Sequence, residues 1–107
     1  MEPLMGAKKF FDTATGTTTA SVTEGTPTSP KRIFITDIAV SSDKGGAYLT
    51  IKQGGSSTPF SLQFGTSTPF AWAHSFEVPI IISVDNNAVI TIDGSAFCRV
   101  NVGGYVA

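Results

Sequence analysis

Residues 70–106 read FAWAHSFEVPIIISVDNNAVITIDGSAFCRVNVGGYV, and their rhythm decides the fold. Phe70, Trp72, His74 and Phe76 alternate with Ala71, Ala73 and Ser75. Val78, Ile80, Ile82 and Val84 keep the same period until Asp85-Asn86-Asn87 breaks it. Ile90 and Ile92 lead into Asp93-Gly94, and Cys98, Val100 and Val102 lead into Gly103-Gly104. Side chains along a strand point to alternate faces, so a period of two cut by turn-forming residues predicts successive antiparallel strands, each burying one face. Glu77-Val78-Pro79 predicts a bulge or corner, because proline cannot donate to a strand ladder.

Upstream the same grammar holds. Phe34, Thr36, Ile38 and Val40 share one face of a strand whose other face carries Ile33, Ile35, Asp37 and Ala39. That strand is expected to be buried on both sides over part of its length. Ser41 to Gly46 forms a turn, Ala47 to Lys52 alternates again, and Gly54-Gly55-Ser56-Ser57 turns the chain once more. Phe60, Leu62 and Phe64 follow, then Gly65-Thr66-Ser67-Thr68-Pro69. From Lys31 onward this predicts about seven strands and no helical stripe. The fold class is all-β: an antiparallel β-sandwich of jelly-roll or Greek-key type.

Residues 1–30 are different in kind. TATGTTTASVTEGTPT, Thr13 to Thr28, has almost no large apolar side chains and cannot offset its own ordering cost unless it lies against something. The division expected is an extended or flexible N-terminal arm over 1–30 and a β-sandwich domain over 31–107. Thr17 to Thr23 could add as an edge strand to its own sheet or a neighbour's. Phe10 and Phe11 are the arm's apolar anchors.

Composition excludes several function classes. A net charge of -1 supplies no basic field for nucleic acid, and the basic pairs Lys8-Lys9 and Lys31-Arg32 are too sparse for a phosphate-binding stripe. The single cysteine, Cys98, permits no intrachain disulfide. The most apolar run, Val78 to Val84, is far short of a membrane span, and the N-terminus lacks a signal peptide's apolar region, so synthesis in the cytoplasm is expected. Charged residues are only 14% of the chain, against about a quarter in ordinary soluble domains. Such a surface suggests an exterior partly covered by other subunits, with a stable hydroxyl-rich monomer as the alternative.

Candidate chemistry is thin. His74 and Cys98 are the sole base and thiol, and both share parity with large apolar neighbours, which favours a hydrogen-bonded histidine and an inert core cysteine over a catalytic dyad. Asp85-Asn86-Asn87 and Asp93-Gly94 offer oxygen ligands for a hard cation, but the strand between them separates them by about 25 Å, so they read as turns. No nucleotide, zinc or nucleophile-elbow motif occurs, and no enzyme, metal or cofactor is predicted. The row Phe70, Trp72, His74, Phe76 is either core or an exposed stacking platform for sugars or bases; a sandwich needs such a row inside. Its reverse face, Ala71, Ala73 and Ser75, is small enough to let another sheet or subunit approach, or else is a plain solvent strip.

KRIFITDIAVSS, GGAYLTIKQGG, NAVITIDG and the closing VNVGGYV together cover most of residues 31–107. In this order of strands and glycine turns, joined to a Thr-rich arm and a charge-poor surface, the chain resembles the small β-sandwich head decoration (cement) proteins of tailed bacteriophages. The resemblance implies a virion structural protein on the outer capsid surface, bound to the major capsid protein lattice, often as a homotrimer, with no nucleic-acid or membrane partner. Phe10 and Phe11 are then the expected capsid contacts, and Ala71, Ala73 and Ser75 the expected subunit interface. The alternative is a carbohydrate-binding or receptor-binding β-domain that uses the aromatic row.

Overall fold

The computed structural model describes residues 7–54, 57–65 and 69–107. The start of the expected arm, residues 1–6, and the Gly55-Ser56 and Thr66–Thr68 parts of two expected turns lie outside the described residues. Eight strands and no helix make up the described chain: β1 (Lys8–Gly16), β2 (Thr19–Glu24), β3 (Ile33–Ser42), β4 (Tyr48–Gln53), β5 (Ser57–Gln63), β6 (Phe70–Ile81), β7 (Ala88–Asp93) and β8 (Cys98–Val106). They form two four-stranded antiparallel sheets, ordered β1-β8-β3-β6 and β2-β7-β4-β5, whose inner faces share one core as in a β-sandwich.

The core follows from parity. Ile35, Ile38 and Val40 of β3 and Val100 and Val102 of β8 turn inward from the first sheet, and Leu49, Ile51, Ile90 and Ile92 meet them from the second. Each such side chain contributes roughly 1.5–3 kcal/mol of gross burial. These residues sit on the central strands β8, β3, β7 and β4. The edge strands are held by their ladders, by half-buried aromatics on β1, β5 and β6, and by Ala20 and Val22 on β2.

Three features refine or correct the sequence reading. Residues 70–81 are one strand, not two. Its register with β3 slips between Ile35 and Asp37, so that Phe76, Glu77, Val78 and Pro79 stand opposite the single residue Thr36. Pro79 thus sits in a bulge, where its missing N–H costs no ladder bond. Second, the N-terminal residues from Lys8 to Glu24 supply two strands. β1 pairs with β8 along its whole length and β2 with β7, each an edge of its sheet. Thr19–Glu24 is therefore an edge strand of its own sheet; Ala20 and Val22 are its buried residues, and the threonines face outward.

Third, the aromatic row lies on the inward side of β6, but β6 is an edge, so the row is only half covered. Phe70, Trp72 and Phe76 pack against the core margin, while His74 is exposed. Phe60 of β5 and Phe64 just beyond its end close the gap from the other sheet, with Phe60 edge-on to Phe76 at 5.6 Å and Phe64 stacked on Phe70 at 4.3 Å. An aromatic seam seals this side of the molecule.

Candidate functional site

The two outer faces of the sandwich differ in what they expose. On the second sheet, hydroxyls and carboxylates satisfy one another: Ser21 and Thr91 share a 2.7 Å bond, and the Thr19 and Tyr48 hydroxyls donate to Asp93 at 3.0 and 3.3 Å. Such a surface is already paired and is at ease in water.

The outer face of the first sheet is built in rows fixed by strand register. One row runs Phe11, Gly103, Asp37, Ser75 across β1, β8, β3 and β6. The next runs Thr13, Asn101, Ala39, Ala73, and the third Thr15, Arg99, Ser41, Ala71. In each of these three rows the β1 residue is larger than the β6 residue; a fourth row, Lys9, Tyr105, Phe34 and Ile81, is large at both ends. Phe11 is 71% exposed. Between it and Ala73 lies a shallow depression of about 450 Å³, floored by Ala39 and Asn101. Adjoining hollows extend it toward Ala71 and Arg99 on one side and toward Lys9 and Tyr105 on the other.

The polar groups on this face are anchored. Asp37 accepts hydrogen bonds from the Ser75 hydroxyl at 2.6 Å and from Thr36 at 2.8 Å, and these two bonds, Ser75 first, hold its carboxyl below the usual aspartate range. The Thr13 hydroxyl donates to the Asn101 side chain. Phe34 and Tyr105 stack at 4.8 Å, nearly parallel, at the end of the face. The rows therefore present fixed groups to whatever meets them.

Phe11, Ala71, Ala73 and Ser75, expected at two separate contacts, are brought onto this one face. Phe10 is not: adjacent strand residues point oppositely, and Phe10 packs against the core beneath Gly104. Asp37, Ala39, Arg99 and Asn101 belong to the face as well. Parity on β3 and β8 marks them as outward, but only the β1-β8-β3-β6 order puts them between Phe11 and Ala73.

The other sequence candidates stand apart. Cys98 is buried and donates to the Ala96 carbonyl at 3.0 Å, with Thr18 and Ser42 oxygens further off. Its row ends on Phe70, four residues along β6 from His74, or about 13 Å of strand. The two are not brought together as nucleophile and base. Asp85 occupies the left-handed region at φ 66, Asn86 donates to the Val84 carbonyl, and Asn87 accepts from Gly54 N–H. These residues shape the β6–β7 turn. Among the described residues no three of His, Cys, Asp and Glu converge on one point.

At the far margin of the sandwich, where β1 and β2 come together, Asp12 and Glu24 sit side by side. Burial, and then the hydrogen bond and charge of Asp12, push the Glu24 carboxyl up to about 7. Comparison with known proteins adds no relative: no family model matches the chain, and no curated protein matches it.

Proposed function

We propose that this chain is a structural protein of a tailed-bacteriophage virion, a decoration protein that binds the assembled head and reinforces it without catalysing a reaction. The interleaved strand orders fit a jelly-roll winding, an architecture used by viral capsid domains and lectins. The observation that carries the reading is the contrast between the two outer faces. One is a sheet of mutually satisfied hydroxyls, and the other is an unsatisfied apolar surface of Phe11, Ala39, Ala71 and Ala73 around anchored polar groups. A face of that kind gains free energy when covered, at roughly 25 cal/mol per Å² of apolar area, offset in part by association entropy. Repetition over a symmetric shell would multiply weak contacts into strong reinforcement.

The test is compositional and mechanical. The protein should be a stoichiometric component of purified virions. Heads assembled without it should rupture at a lower temperature and recover on addition of the purified chain. Its absence from virions, or heads indifferent to it, would overturn the proposal.

One observation favours a second reading. The Trp72 indole is half-buried, and the exposed His74 ring stacks on it at 5.7 Å, giving a flat aromatic edge that a sugar ring could cover. A carbohydrate-binding or receptor-binding domain predicts that soluble glycans change Trp72 fluorescence; a decoration protein predicts no response.

A further inference from the structure

We infer that the outer face of the β1-β8-β3-β6 sheet pairs with the same face of a second copy of this chain, about a twofold axis that runs parallel to the strands between β8 and β3. This rests on reading that face as an interface, and it names the partner as another copy. In three rows the β1 end is bulkier than the β6 end, Phe11 against Ser75, Thr13 against Ala73 and Thr15 against Ala71, while the fourth, Lys9, Tyr105, Phe34 and Ile81, is bulky throughout. A twofold axis along the strands turns the sheet over and exchanges its left and right margins while keeping each row level. The bulky margin of one copy then lies over the small margin of the other, twice, as an isologous contact demands. Phe11 of each copy comes down beside Ala73 and Ser75 of its partner. The stacked Phe34–Tyr105 pair meets its own symmetry mate at the axis.

An axis perpendicular to the strands fails this test. It would lay β1 on β1, crowding large against large and leaving the β6 margins facing each other across a gap. A face four strands wide at about 4.8 Å spacing and about 25–30 Å long covers roughly 500 Å² per copy before corrugation. The pair then buries about 1,000 Å² or more, the threshold for a specific interface. The alanines and Gly103 let the two backbones approach at least as closely as the ~10 Å usual between packed sheets.

Sedimentation equilibrium of the full chain tests the pairing. The expected mass is twice 11.2 kDa, with Ala73→Arg and Phe11→Ser each weakening association by about 100-fold or more, two hot-spot losses of about 2.7 kcal/mol on the tenfold-per-1.4 scale, while circular dichroism stays unchanged. A second measurement tests the axis without removing Phe11. With a short bifunctional thiol reagent that spans the ~10 Å between packed sheets, the double variant Thr13→Cys/Ala73→Cys should form a covalent dimer, and neither single variant should. Within one copy those positions are three strands, about 14 Å, apart, beyond reach of an internal bridge. A wild-type chain that remains monomeric at millimolar concentration overturns the pairing. If that monomer still binds heads and Ala73→Arg abolishes the binding, the interface reading survives with a different partner. A trimer, or single variants that cross-link as well as the double, overturns the proposed axis.

Discussion

The ring of Phe11 lies across Gly103: a Cβ on that glycine would stand 3.3 Å from Phe11 Cδ1 and 3.8 Å from the Asp37 Cβ. The strand pairing puts these residues opposite one another, and the missing side chain gives the exposed ring its seat. Gly103→Val fills that seat and turns the ring out of place. Because the ring is exposed, the fold should tolerate the change, with a stability shift within about 1 kcal/mol. Self-association should fall about tenfold or more, equivalent to ~1.4 kcal/mol. Thermal melts and sedimentation of the same samples separate the two effects.

The neighbouring glycine behaves in the opposite way. A Cβ on Gly104 would lie 2.0 Å from the Phe34 carbonyl oxygen, 2.9 Å from Phe10 Cζ and 3.1 Å from the Ile35 Cα. Phe10 can move, but the β3 backbone cannot without breaking its ladder with β8. Gly104→Ala should therefore cost about 3 kcal/mol or more, at the upper end for overpacking. The urea midpoint should drop accordingly, and a midpoint within error of wild type would show that β3 and β8 are less rigidly matched than described.

How far the sequence speaks is clearest at adjacent pairs of this kind. Parity alone separates Phe10 from Phe11 once β1 is known to be a strand, but the Thr-rich context hides the strand. Its side chains that pack against the core are Phe10 and Ala14, and β2 buries only Ala20 and Val22. Their burial is supplied by β7 and β8, which are remote in sequence, so no local window contains the signal. The central strands are legible because Ile33–Val40 and Val89–Ile92 carry their own apolar faces. The inward side of Phe70, Trp72 and Phe76 is equally legible; their half-exposure is not, because a strand's place at a sheet edge depends on topology. The same holds for the site: Ala71, Ala73 and Ser75 are visible as a small-residue strip, whereas its juxtaposition with Phe11 arises from the β1-β8-β3-β6 order.

Glu24 gives the protein a pH dependence of definite sign. Its carboxyl is raised from about 4.5 to about 7 in the folded state by burial and by Asp12. Between those values the folded chain holds a proton that the unfolded chain has released, so stability falls as pH rises through that window and levels off above 7. The side chain is only half-buried, so solvent screening reduces the effect to roughly 1 kcal/mol. Glu24→Gln keeps the shape and removes the titration. It should match wild type near pH 4 and melt about 4–8 °C higher at pH 8, the shift expected for ~1 kcal/mol in a domain of this size. Parallel melting curves at both pH values would show that the Asp12–Glu24 contact does not bear on folding.

Salt should act on the paired state through Asp37 and Arg99. The inferred axis runs between β8 and β3, so it brings the two Asp37 carboxylates within about 10 Å of each other, and the two Arg99 guanidinium groups likewise. Within each copy Ser75 and Thr36 hold the Asp37 charge in its ionised form, so protonation cannot relieve the repulsion near neutral pH. Arg99 lies 5.9 Å from the Phe97 ring centroid, which directs it toward the end of the sheet. Two like charges about 8 Å apart in water repel by about 0.5 kcal/mol, and the two pairs together by about 1. Screening shortens the Debye length to a few ångströms near 1 M salt and removes most of that penalty. Association should therefore tighten about two- to fivefold between roughly 0.05 and 0.5 M sodium chloride, an increase too small to be confused with the loss caused by Ala73→Arg. Asp37→Asn should show a smaller response to salt. An affinity that falls with salt would mean that opposite charges meet across the contact, and the two sheets would then have to be related by some other axis.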